Sequence, residues 1–281
     1  MTVITTLKQY YDEIKDKGYT PFCVGITGSQ CYNLADDKSD IDAVAFVMPS
    51  WDNICFGRSC ISEQLDMSTG AHCTLIDIRK LSKLFFEEDF IHYIPLMEEN
   101  YVPPEFVNDF QLLVTITDDL GDFNKSEIIR KAMGMCPSNL RKIERKTAET
   151  WCWDSSCGKY YIYIRWLHYF VKHLITKGWD SGAPYYKPCY KVSNNLHHEW
   201  MPFKRGEINL IPDSGANYCK VLTEELYKIY LNLVEVQKYE PNHEAMKPLY
   251  DWQENLIYNY YWGEERKCII VLNGLTNLRM K

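Results

Sequence analysis

The stretch Gly25-Ile-Thr-Gly28-Ser29-Gln-Cys31-Tyr-Asn33-Leu-Ala-Asp-Asp-Lys-Ser39-Asp40-Ile-Asp42-Ala-Val-Ala-Phe46 decides how this chain is read. A β-prone run, Pro21 to Thr27, halts at Gly28-Ser29. Polar, turn-forming residues follow, and Asp40-Ile41-Asp42 then opens a second apolar run that lasts to Met48. Side chains alternate along a strand, so Asp40 and Asp42 are expected on one face with Cβ atoms about 7 Å apart. Two carboxylates so placed demand a cation. Left alone, each raises the pKa of the other, whereas Mg²⁺ takes hard carboxylate oxygens and keeps positions open for phosphate. Gly28 lets the backbone approach a ligand closely, and the Ser29 hydroxyl with its neighbouring amides can donate to phosphate oxygens. The alternative is a solvated turn in which Ser39 and Asp40 merely start a strand. Asp42, set into an apolar strand, has no packing reason to be there.

Working outward, Val3, Leu7, Tyr10, Tyr11 and Ile14 recur at helical spacing until Gly18, which predicts a helix over 2–17. A polar stretch at 51–71 precedes a third strand, His72 to Ile76, and a helix from Arg79 to Glu88. From residue 90 the pattern changes: FIHYIPLMEEN, NKSEIIRKAMGMCPSNLRKIERKTAE, KYYIYIRWLHYFVKHLITKG and TEELYKIYLNLVEVQKY all read as helices. The segment 178–219, rich in Gly, Pro, Asn and Ser, reads as a long irregular excursion. These elements describe an α+β protein: a small mixed sheet with flanking helices over 1–110, then a mostly helical domain over 111–281. The boundary is expected at Pro103-Pro104 or Asp118-Asp119.

The Gly-Ser…Asp-x-Asp stretch resembles the signature of the DNA polymerase β-type nucleotidyltransferase superfamily. In detail it is similar to a bacterial and phage nucleotidyltransferase family named for an RNA-repair-pathway polymerase-β-like protein. Thr27, Gly28, Ser29, Tyr32, Leu34, Ser39, Asp40, Ile41 and Asp42 fit that motif, while Cys31 and Asn33 replace its usual Ala and Gly. The resemblance implies a nucleotidyltransferase module in the first half. It also implies a third carboxylate on a neighbouring strand, and Asp77 is the candidate, although Asp before Ile-Arg-Lys-Leu is equally a helix N-cap. His72 stands where that family usually has the carboxylate; Glu63 and Asp66 are more remote alternatives. A second likeness, over Gly158-Lys159-Tyr-Tyr-Ile-Tyr-Ile-Arg165, implies that Lys159 and Arg165 reach a triphosphate.

The implied activity is Mg²⁺-dependent (or Mn²⁺-dependent) transfer of a nucleoside monophosphate from an NTP to an acceptor hydroxyl, with release of pyrophosphate. Asp40, Asp42 and Asp77 would bind metal, and Gly28, Ser29, Ser39, Lys159 and Arg165 the nucleotide. The acceptor could be an RNA or tRNA end, a small molecule or a protein. Two alternatives stay open: a catalytically impaired, nucleotide-binding regulatory protein, and a toxin-like transferase acting on tRNA or protein.

Composition bounds these readings. The 281 residues are 46% hydrophobic and 25% charged, which excludes fibrous and disordered classes. A net charge of −7 argues against coating a long nucleic acid, so any such contact must be local. The basic run from Arg130-Lys131 to Arg145-Lys146, with Lys187 and Lys191, is where one would dock. Eleven scattered cysteines without a CxxC pair, and a start lacking a signal core, predict reduced thiols in a cytoplasm. No apolar run reaches the ~18 residues of a membrane span. The 21 Tyr and 8 Trp are expected to serve packing more than ligand stacking. His197-His198-Glu199 lacks the i, i+4 spacing of a helical metal site.

Overall fold

The computed structural model describes residues 2–86, 96, 99–123, 125–177, 191–236, 244 and 246–278. Its sheet grows from the run Ala43-Val-Ala-Phe-Val-Met48, which forms β2 and is buried along its whole length. An apolar run without polar alternation is the mark of a strand covered on both faces. One face of β2 carries the small side chains Ala43, Ala45 and Val47, and α1 (Val3–Asp16) settles there through Leu7, Tyr10, Tyr11 and Ile14. The other face carries Val44, Phe46 and Met48 and meets the helical part of the chain. Thr2 caps α1 by accepting from Thr5 N.

Antiparallel to β2 lies β1 (Thr20–Ile26), and α2 (Gly28–Cys31) follows it directly. After α3 (Trp51–Cys55) come β3 (Ser62–Asp66) and β4 (His72–Asp77); β4 runs parallel to β2 and antiparallel to β3. β5 (Asn100–Tyr101) completes a mixed sheet of order β3-β4-β2-β1-β5. β3 falls inside the stretch read as polar connection. Ser-Glu-Gln-Leu-Asp has no apolar face to announce a strand, and its pairing with β4 at the sheet edge makes it one. The helix expected over 79–88 is a 3₁₀ turn (Ile78–Lys80) leading into α4 (Leu81–Phe86). Most of the helix expected at FIHYIPLMEEN falls outside the described residues, and its last residue, Asn100, belongs to β5.

The helical part comprises α5 (Val107–Phe123), α6 (Lys125–Thr150), α7 (Ser155–Lys177), α8 (Asn194–Arg205), α9 (Pro212–Val236) and α10 (Lys247–Leu278), the last broken by a kink at Gly263, where φ is 59°. Helices α6, α7 and α9 pack on one another, and α8 lies on α7. The predicted core face of α7 is fully buried at Ile164, Leu167, Val171 and Leu174, while Tyr160 is half-buried. Trp166 and Phe170 are buried on its other side, and Trp166 stacks on Tyr32 after α2 with ring centroids 4.0 Å apart. The aromatic density of this region is therefore packing.

One expectation needs correction here. The irregular excursion contains α8, framed by Ser193, which accepts from Leu196 N, and by Gly206 in the left-handed conformation; α9 then starts at Pro212. Phe22 and Phe46 of the sheet share one apolar cluster with Trp166, Leu222 and Trp252. α10 returns to the sheet, its Trp252 ring edge-on to Phe22 at 5.7 Å and its Gln253 donating to Ile78 O. Cys73, Cys136 and Cys219 are buried as small apolar groups, their thiols pushed up to about 12 by burial. No described helix is long and apolar enough to cross a membrane.

The contact of α7 with α8 depends on Gly158, where a Cβ would lie 2.0 Å from Phe203 O. Gly158→Ala is expected to destabilise the protein by about 2 kcal/mol, since helix backbones must separate. Gly134→Ala, in an exposed stretch of α6 with nothing within 4 Å of the new Cβ, is expected to add about 0.5–1 kcal/mol. Denaturant midpoints of the two variants check both signs.

Candidate functional site

The β1–β2 pairing continues one step past the strands, where Thr27 N donates to Asp42 O at 2.9 Å. Gly28 must then stand against Asp42: its φ is +66°, and a Cβ would fall 3.3 Å from Asp42 Oδ2. Only glycine takes that backbone without strain. Asn33 adopts φ 57°, and asparagine is among the few residues that tolerate the left-handed region where the resembled motif has Gly. Asp40 and Asp42 precede the first residue of β2 instead of lying within it, and both line the same cleft. The other oxygen of Asp42, Oδ1, accepts from His72 N at 3.3 Å.

This cleft has a volume of about 800 Å³. One wall carries Gly28, Ser29, Asp40 and Asp42; Lys159 from α7 and Lys204 and Arg205 from the last turn of α8 also line it, above Tyr32, Leu34, Ile162 and Tyr163. Lys204 Nζ donates to Leu34 O at 2.7 Å and to Ser39 Oγ at 2.9 Å. Burial lowers the Lys204 pKa; Asp36 opposes this, and the like charges of Lys159 and Arg205 add to it. Asp36 shows the reverse balance. Burial pushes its carboxyl up, but the Ser39 hydroxyl, Lys204 and Lys38 N together hold it below its usual range.

Of the residues expected at the site, Gly28, Ser29, Ser39, Asp40, Asp42 and Lys159 come together in the cleft. Ser39 serves the turn, because its hydroxyl donates to Asp36 Oδ1 and accepts from Asp36 N, both at 2.9 Å. That leaves it no proton for a phosphate. Asp77 does not join. The β2–β4 register sets His72 level with Asp42 and Asp77 beside Val47, about 16 Å further along the strand. Fully buried there, Asp77 caps the 3₁₀ turn at Arg79 N (2.9 Å) and holds the Arg79 guanidinium (2.7 Å to Nη2). Its residue type satisfies the N-cap alternative.

Arg165 does not join either. It donates to Glu199 Oε1 at 2.7 Å and lies over the Trp200 ring at 4.7 Å, fastening α7 to α8. His72 turns its ring to Asp66 Oδ1 at 2.9 Å, and Glu63 accepts from the Tyr19 hydroxyl. His197 lies 3.1 Å from Ala35 O, where a carbonyl can only accept, so its role is structural. In the basic run, Lys146 pairs with Asp154 at 2.9 Å, Arg145 with Glu149 at 4.0 Å, and Lys142 covers the Tyr160 ring. Lys187 lies outside the described residues. Lys204 and Arg205 escaped the sequence reading, though a Ser cap, a terminal Gly and a basic last turn between them are recognisable helix signals.

Asp77→Asn is expected to cost about 2–3 kcal/mol in stability, through the loss of a buried charged partner. Chemical denaturation of the variant beside the parent protein checks this. Comparison of this chain with models of known families, with characterised proteins and with solved structures finds no match.

Proposed function

We propose that the chain is a nucleotidyltransferase that moves a nucleoside monophosphate from an NTP to an acceptor hydroxyl. The observation that carries the proposal is the cleft itself, where the Asp40–Asp42 pair beside Gly28-Ser29 is joined by Lys159, Lys204 and Arg205. Carboxylates next to cationic side chains suit a metal–triphosphate complex, in which each charge meets its opposite.

The donor set fits such a complex better than a bare ion. Among the described residues no three His, Cys, Asp or Glu gather into a metal site. Mg²⁺ is commonly held by one or two carboxylates plus substrate phosphates, and two carboxylates are what Asp40 and Asp42 supply. Bound there, Mg²⁺ would offset charge on the phosphates and on the departing pyrophosphate. Gly28 leaves room for the phosphate chain, Ser29 donates to it, and Lys159 and Arg205 bind its outer oxygens. Tyr32, Leu34, Ile162 and Tyr163 supply apolar surface for the nucleoside. The acceptor oxygen forms a bond to the α-phosphorus, the α–β bridging bond breaks, and pyrophosphate carries away its electron pair. The acceptor's proton passes to water, since Asp77 is at the other end of β4 and His72, whose backbone N meets Asp42 Oδ1, turns its ring to Asp66. The −7 charge favours a small-molecule or protein hydroxyl over a polynucleotide end.

That same position supports a second reading. With His72 where the resembled family has a carboxylate, the cleft would hold a nucleotide for regulation without turnover.

Incubation with Mg²⁺, each labelled NTP and pools of tRNA, total protein and metabolites is expected to label one pool and release pyrophosphate. Asp42→Asn is expected to lower that transfer by about 10³-fold or more. A fully active Asp42→Asn variant overturns the site. Tight nucleotide binding with no transfer to any pool favours the regulatory reading.

A further inference from the structure

Residues 32–40, which carry the chain from α2 to the carboxylate pair, are held from outside by α8 and its lead-in. Val192 N donates to Tyr32 O at 3.0 Å, and Asn33 Nδ2 donates to Val192 O at 2.8 Å. His197 holds Ala35 O at 3.1 Å, and Lys204 holds Leu34 O at 2.7 Å. Lys204 alone of these continues to the residue before Asp40, through its 2.9 Å bond to Ser39 Oγ. With Asp36 N and Asp36 Oδ1 on the same hydroxyl, Ser39 has its donor and both acceptor sites filled. A hydroxyl so saturated has one orientation, and Asp40 is the next residue along.

We propose that Lys204 is a positioning residue: its ammonium, bridging Leu34 O and Ser39 Oγ, clasps the loop to α8 and fixes where Asp40 stands. The carboxylate pair is then competent for a cation only while α8 is docked. Lys159 differs in kind. It lines the cleft from α7 and acts on the phosphates directly, whereas Lys204 acts through Ser39. The consequence for nucleotide binding rests on the nucleotidyltransferase reading; the clasp itself does not.

Backbone hydrogen exchange on the full chain, without nucleotide, tests the clasp. Lys204→Met and Ser39→Ala are each expected to speed exchange over residues 33–41 about tenfold. Exchange in α7 should stay unchanged, and Lys159→Met should leave 33–41 as in the parent protein. Calorimetry with α,β-methylene analogues of the four NTPs, with and without Mg²⁺, tests the consequence. Lys204→Met and Ser39→Ala should each remove about tenfold of the Mg²⁺-dependent affinity, and the double variant should lose no more than either alone, because one clasp is broken twice. Lys204→Met and Lys159→Met should multiply. Unaltered exchange over 33–41 in Lys204→Met overturns the proposal, as do multiplying losses for Lys204→Met with Ser39→Ala. If the parent protein binds none of the four analogues with Mg²⁺, the nucleotidyltransferase reading falls, and the exchange result decides the clasp by itself.

Discussion

The antiparallel pairing of β1 with β2 runs one hydrogen bond past the strands, from Thr27 N to Asp42 O, and everything at the cleft depends on that bond. It presses the backbone of Gly28 against the Asp42 carboxylate, with room for a hydrogen where any other residue would place a carbon. Placing Ala there would combine left-handed strain of about 1–2 kcal/mol with a push on the carboxylate. The turn at Gly28 therefore does two things at once. It ends a strand, and it leaves Asp42 lining the cleft beside the first turn of α2.

A bare pair of carboxylates at the end of the central strand would be a solvated feature of no consequence. Here that end becomes the wall of a cleft because α7 and α8 line it too, and those helices are held by packing that begins in the sheet. Tyr32 stacks on Trp166, while Phe22 and Trp252 tie β1 to α10. The two parts share one apolar cluster, so the cationic side chains cannot swing freely relative to the carboxylates. Gly158 lets α8 lie close enough on α7 for its last turn to enter the cleft.

The legible part of this protein was local. Asp40, Asp42, Gly28 and Ser29 fall within fifteen residues of one another, and a turn followed by the start of a strand is enough to bring them together, although the pair itself precedes β2. The central strand, α1 and the core face of α7 were legible for the same reason, since each buries a pattern written in consecutive residues. β3 was not, because its residues carry no apolar signal and only β4 makes them a strand. Asp77 misled for an instructive reason. It lies on the expected strand, yet five positions beyond the end that meets Asp42, and a strand's two ends look alike in sequence.

The sequence by itself determined which residues form the carboxylate wall, because a Gly-Ser turn and two Asp just before the next strand are brought together over a short length of chain. Tertiary structure alone decided what faces that wall. Arg165 and Lys204 are both basic residues on amphipathic helices, with nothing in their neighbours to separate them. One is tied to Glu199 and Trp200, and the other reaches Ser39, 165 residues away, because two helices cross where a glycine allows it. A contact over that separation is fixed by how helices pack on a sheet, and helix packing is set by the whole core at once.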